Sequence, residues 1–181
     1  DNEFSMANEL LELMDFRDRY ERHEIAKALA RTGPVGIKFL YKYFKKGSGD
    51  EERKSIFYAG IKNVFTKDLY NDFSVMKLLI ASLEQGEIGA VSALQPHFQK
   101  RDLLEPWLAK WLENRVVIFL RRELSKSQPN EELVKKIIEI LMKSNIDYIK
   151  DANLLIALGM AARRDDSLGG YAQWALDYLG K

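Results

Sequence analysis

Two histidines, His23 and His97, are the only imidazoles in a chain of 181 residues, and neither stands in a pattern that chemistry requires. A helical zinc site takes a second histidine one turn away, and Glu21-Arg22-His23-Glu24 supplies none. His97 stands between Pro96 and Phe98 near a helix end and reads as a partly exposed or capping residue. Gly47-Ser48-Gly49-Asp50-Glu51-Glu52-Arg53-Lys54-Ser55 has the outline of a phosphate loop, but no strand leads into it and no glycine precedes Lys54. Its three carboxylates would also repel a phosphate, so it reads as a capped turn between helices. Asp165-Asp166 is a carboxylate pair only in sequence, because adjacent residues do not share a helix face. No Gly-x-Ser-x-Gly or Gly-x-Gly-x-x-Gly occurs. With no cysteine, thiolate catalysis, disulfides and Cys-ligated metals are excluded. The expectation is a protein without catalytic residues, metal or cofactor. The catalytic option left open is a site assembled from scattered Asp, Glu and Tyr residues.

The surface feature with most chemical content is basic. Lys38, Lys42, Lys45 and Lys46 fall on one helical stripe, and Arg53 and Lys54 come soon after. Such a stripe is a solvated face or an electropositive patch for an acidic peptide or a phosphate backbone. Arg121-Arg122 and Arg163-Arg164 extend the patch if the fold curves them to the same side. The chain as a whole gives no such bias: 28 basic residues against 27 acidic ones leave a net charge of +1 and no global field toward nucleic acid or an anionic membrane.

The elements that must carry these residues are helical throughout. Apolar residues make up 46% of the chain, enough for a continuous core and too much for a disordered one. No segment alternates as a strand does. A first helix is expected near Ser5–Met14. A second is expected near Phe16–Arg31, with Phe16, Tyr20, Ala28 and Leu29 inward. A third, Pro34–Lys46, begins after the stop at Thr32-Gly33, and Pro34 suits its first turn. It carries Ile37, Leu40, Tyr41 and Phe44 on one apolar stripe and Phe39 and Tyr43 on another, so two sides are buried and the lysine side is wet. Asp50 caps a fourth helix holding Ile56, Phe57, Gly60, Ile61, Val64 and Phe65. Further helices are expected near Asp72–Leu83 and Glu87–Gln95, the second ended or kinked by Pro96. Arg101–Ser125 reads as two helices meeting near Glu113-Asn114, or one bent helix. After the break at Gln128-Pro129-Asn130 come a helix through Leu133–Leu141, one over Tyr148–Ala162, and one over Ser167–Leu179 that Gly180 stops. The longest strictly apolar run, Val116–Leu120, is far too short to span a bilayer. Residues 1–5 lack the basic start and apolar stretch of a signal peptide and read as an extraneous or disordered lead before Met6.

About ten short helices with short connections favour antiparallel hairpins in series. Two segments echo each other. Ala28-Leu29-Ala30-Arg31-Thr32-Gly33-Pro34-Val35-Gly36 is followed by Leu40 and Phe44, and Ala81-Ser82-Leu83-Glu84-Gln85-Gly86-Glu87-Ile88-Gly89 by Leu94 and Phe98. Tyr171-Ala172-Gln173-Trp174-Ala175-Leu176-Asp177-Tyr178-Leu179-Gly180 ends in the same cadence. These segments resemble HEAT and armadillo-type helical repeats in degenerate form. The resemblance implies one domain over residues 1–181 folded as a right-handed α-solenoid, with an irregular globular bundle as the alternative. It implies a scaffold or adaptor that binds a protein or peptide partner, an acidic one for the basic patch, on its concave face. The alternative is a repeat protein that binds DNA or RNA, with Lys38, Lys42, Arg121 and Arg163 on one surface. Trp107 and Trp111, one turn apart, read as core residues. In the sharper reading they form an aromatic surface for a peptide, or for a base as in HEAT-like DNA glycosylases. An intracellular setting, cytoplasmic or nuclear, and no membrane association complete the expectation.

Overall fold

The computed structural model describes residues 2–46, 50–63, 70–144 and 151–180. Among them are ten α-helices, one 3-10 turn and no strand, as the helical periodicity demands. They are α1 (Asn2–Met14), α2 (Arg19–Arg31), α3 (Pro34–Lys46), α4 (Glu51–Asn63), α5 (Phe73–Glu84), α6 (Ile88–Gln99), the 3-10 turn Arg101–Leu103, α7 (Pro106–Leu124), α8 (Glu131–Lys143), α9 (Ala152–Ala161) and α10 (Ser167–Leu179). The expected turn at 47–49, Val64, Phe65 and Tyr148 lie outside the described residues. No described helix is long and apolar enough to cross a membrane.

Short acidic or amide side chains start most of these helices, each satisfying a backbone N–H that has no partner within the helix. Asp18 accepts from the Glu21 N–H at 2.9 Å, Asp72 from Val75 at 2.9 Å, Asn130 from Leu133 at 3.2 Å, Asp151 from Leu154 at 2.7 Å and Asp166 from Gly169 at 3.0 Å. Asp50 accepts from Glu52 at 2.9 Å, so Asp50 does cap a helix.

Several expectations need correction. Phe16 and Tyr20 do not point inward: they are 87% and 74% exposed. Asp18 caps α2 and delays its start to Arg19, which leaves Phe16 in the turn rather than on a helix face. α6 runs through Pro96 to Gln99. The missing proline N–H and the ring clash act on its last turn only, where burial of His97 and Phe98 holds the chain helical. Pro106–Leu124 is one helix with Pro106 at its first position, and Arg101–Leu103 is a separate 3-10 turn. Glu113, where two helices were expected to meet or one helix to bend, is held at 2.8 Å by Arg101 from that turn.

The chain packs as two compact units, residues 1–79 with 92–96 and residues 80–91 with 97–181. In the first, α1 and α2 pair, α3 and α4 pair, α1 lies on α3 and α2 on α4. Its core includes Met14, Leu29, Ile37, Leu40, Ile56 and Ile61. An aromatic cluster joins α3 to α4, with Phe44 stacked on Phe57 at 5.2 Å and Phe57 edge-on to Tyr58 at 5.0 Å. In the second, α7 packs on α8 and α9, and α10 packs on α9 and α8. Its core runs through Leu112, Val116, Leu133, Ile137, Leu158 and Leu168. Glu131 near the start of α8 meets Ser167 at the start of α10, and Glu139 meets Tyr171 further along both, so α8 and α10 run in the same direction.

Candidate functional site

In α9 the residues Leu154, Ala157, Leu158 and Ala161 have the i, i+3, i+4, i+7 spacing of a buried face. The rest of the helix is nearly as apolar and carries no charge. A helix apolar on all sides is ordinarily covered on all sides. Here Ile156 and Met160 are 62% and 68% exposed. In α7 the neighbours Val116, Val117, Phe119 and Leu120 are buried while Ile118 is 54% exposed. Ile118, Arg121 and Arg122 of α7 face Ile156, Ala157 and Met160 of α9 across an open groove of about 590 Å³, within the size range of ligand clefts. Ser125 and Asn153 complete the lining and carry no charge. Among the described residues, the two guanidiniums are therefore its only formal charges. Arg122 lies over the Phe119 ring at 5.3 Å, which props its side chain. Neither arginine pairs with a carboxylate among the described residues.

A groove of this composition is apolar along its length with cations on one wall. It offers desolvated contact to an apolar side chain and charge-assisted hydrogen bonds to carboxylates, with the planar arginine fork suited to bidentate pairing.

The other basic residues lie in varied settings. Lys38, Lys42, Lys45 and Lys46 lie along α3, where all four are exposed. Lys42 sits 5.0 Å from the Phe39 ring and Lys45 5.3 Å from that of Tyr41, so their stems cover aromatic surface. Arg53 is bound within the fold: it pairs with Asp15 at 3.2 Å and Asp50 at 3.4 Å and stacks on the Tyr43 ring at 4.5 Å. Burial pushes the Tyr43 hydroxyl up from its ordinary value, with Arg22 and Arg53 pulling against it. Lys54 pairs with Glu51 at 2.9 Å. Arg163 sits just beyond α9, its N–H donated to the Met160 carbonyl at 3.3 Å. Arg164 forms a salt bridge with Asp166 at 2.8 Å. The Gly169 N–H, together with this pairing, holds the Asp166 carboxyl below its usual range. The four lysines with Arg53 and Lys54 thus belong to the first unit, and the four remaining arginines to the second.

Trp107 is 57% exposed, against its reading as a core residue, because α7 turns it away from Leu108 and Leu112; Trp111 is half-buried with Arg115 over its ring at 5.8 Å. His97 is fully buried, not capping. His23 shares a hydrogen bond between Nδ1 and the Arg19 carbonyl at 2.8 Å.

Two clusters on α8 and α10 also bear on chemistry. Lys135 Nζ donates to Ser167 Oγ at 2.8 Å, and Ser167 donates to Glu131 at 2.7 Å. The lysine is donating, and the carboxylate that accepts the serine hydrogen bond is held below its usual range by these same bonds, which makes it a weak base toward the hydroxyl. Tyr171, Trp174 and Tyr178 form an aromatic ladder on α10, with ring centroids 5.2 Å and 6.0 Å apart. Tyr171 donates to Glu139 at 2.5 Å, and burial together with this carboxylate pushes its hydroxyl up to about 12.

Sequence reasoning found Arg121 and Arg122 but missed Ile118, Ile156 and Met160. The signal that could have found two of them is the all-round apolar character of α9. Comparison of the chain with protein families, curated proteins and solved structures finds no match.

Proposed function

We propose that this chain is a non-catalytic binding module that seats an amphipathic, acidic segment of a protein partner in the groove between α7 and α9. The observation that carries the reading is that Ile118, Ile156 and Met160 stay exposed beside two arginines that no carboxylate among the described residues neutralises. Exposed apolar surface of this kind marks an interaction site, and unopposed guanidiniums select a partner rich in Asp and Glu. The preferred occupant is a helix with large apolar residues at i and i+3 or i+4 and carboxylates alongside them.

A HEAT-like α-solenoid suits this role. In both units helices pair as hairpins, and hairpin lies on hairpin with first helix on first and second on second. That is the stacking a two-helix repeat requires. A chain without cysteine is compatible with work in a reducing, intracellular compartment.

The test is selection of peptides from a displayed library of helical sequences on the intact chain. Selected sequences are expected to combine Asp or Glu with Leu, Ile, Phe or Trp at helical spacing. Ile156→Glu and Arg121→Glu are each expected to weaken their binding more than ~10-fold, as for loss of an interface anchor, while Lys38→Glu leaves it unchanged. Selected peptides without acidic character, or binding indifferent to Ile156→Glu, would refute the assignment.

A further inference from the structure

We infer that one occupant of this groove is a second copy of the same chain, which inserts the corner between α1 and α2 head to tail. The inference rests on the binding role proposed for the groove and names a partner for it.

The corner has the chemistry the groove asks for. Phe16 projects from the turn, its N–H donated to the Leu13 carbonyl at 3.2 Å. Leu13 and Tyr20, which flank the turn on α1 and α2, are exposed as well. Between Glu9 and Glu21 the chain carries five carboxylates, Glu9, Glu12, Asp15, Asp18 and Glu21, against Arg17 and Arg19. Arg17 is paired with Glu21 at 3.6 Å. Glu12 and Asp15 lie beside Phe16 along one small cavity that Tyr43 and Lys46 also line, and Asp15 gives only Oδ1 to Arg53. An aromatic knob with two carboxylates beside it and a cationic apolar groove are thus both uncovered on one molecule. Phe16 fills the space between Ile118, Ile156 and Met160, and the Glu12 and Asp15 carboxylates meet Arg121 and Arg122.

The two surfaces are different, and each copy carries one of each. Two copies that engage both reciprocally close a symmetric dimer; otherwise association continues into a ring or an open chain. Sedimentation equilibrium of the intact chain is expected to give a mass that rises with concentration above the 20.9 kDa monomer, and that falls as salt screens the arginines. Phe16→Asp and Ile156→Asp, both at exposed positions, are each expected to weaken association more than ~10-fold with unchanged circular dichroism. Mixed in equal amounts, the two variants are expected to form a dimer and nothing larger, because the groove of the first meets the knob of the second and the other ends are dead. A monomer at every concentration, a dimer that persists in both single variants, or a mixture that stays monomeric would overturn the inference. Capture of acidic peptides by Ile156-dependent binding in a chain that stays monomeric would remove self-association and leave the binding role standing. Failure of peptide capture would remove the binding role itself.

Discussion

Gly169 and Gly170 are neighbours at the start of α10 and face opposite demands. A Cβ at Gly169 would lie 2.0 Å from the Arg164 carbonyl oxygen, while one at Gly170 would meet nothing within 4 Å. The first contact is with backbone, which cannot swing aside as a side chain can. Gly169→Ala should therefore cost about 2–3 kcal/mol, in the range of overpacked interiors. Gly170→Ala should gain about 0.5–1 kcal/mol, because alanine loses less backbone entropy in a helix. At roughly 2–4 °C per kcal/mol for a chain of this size, thermal melts of the two variants should move in opposite directions. Equal shifts would show that the close approach of α10 to the Arg164 turn is not maintained. At this scale the sequence was informative about type and poor about burial. Asp50, Asn130 and Gly180 act at the helix ends where their chemistry suggested. His97 and Trp107 were read the wrong way round, since a single residue's exposure depends on neighbours distant in sequence.

Helix boundaries were legible where the chain punctuates them. α3 matches its expected span because Thr32-Gly33 closes α2 and Pro34 begins α3; α10 matches because Asp166 caps it and Gly180 stops it. The echo between Ala28–Gly36 and Ala81–Gly89 has a physical basis. Gly33 and Gly86 occupy equivalent places in it, adopt φ of 77° and 85°, and each donates its N–H three residues back, to Ala30 and Leu83. This is the left-handed stop that glycine adopts without steric cost. What periodicity could not supply was the division of α9 into two faces, because its exposed side is as apolar as its buried one. That division is testable by truncation. Leu154→Ala should destabilise the chain by about 2–5 kcal/mol through the cavity it leaves, whereas Ile156→Ala should stay within about 0.5 kcal/mol. Chemical denaturation of both variants checks this. A large loss at Ile156 would mean that its side chain is covered within the chain, and the groove would not be open to a partner.

Composition set the terms at the largest scale: a balanced charge and ample apolar material implied a packed protein whose electrostatics act locally. The convergence of separate segments was beyond it, because Arg121 and Arg122 become one wall of a groove only once α9 lies against α7. The packing into two units, each with its own hairpin pairs and buried residues, has a consequence for stability. If each core holds its own helices, a strained glycine should loosen its own unit first. Gly36 is the counterpart of Gly169 in the first unit, since a Cβ there would lie 1.7 Å from the Leu29 carbonyl oxygen. In native-state hydrogen exchange, Gly36→Ala should lower protection across α2, α3 and α4 with α8, α9 and α10 little changed, and Gly169→Ala should do the reverse. Uniform loss of protection in both variants would show that the two cores open as one cooperative structure.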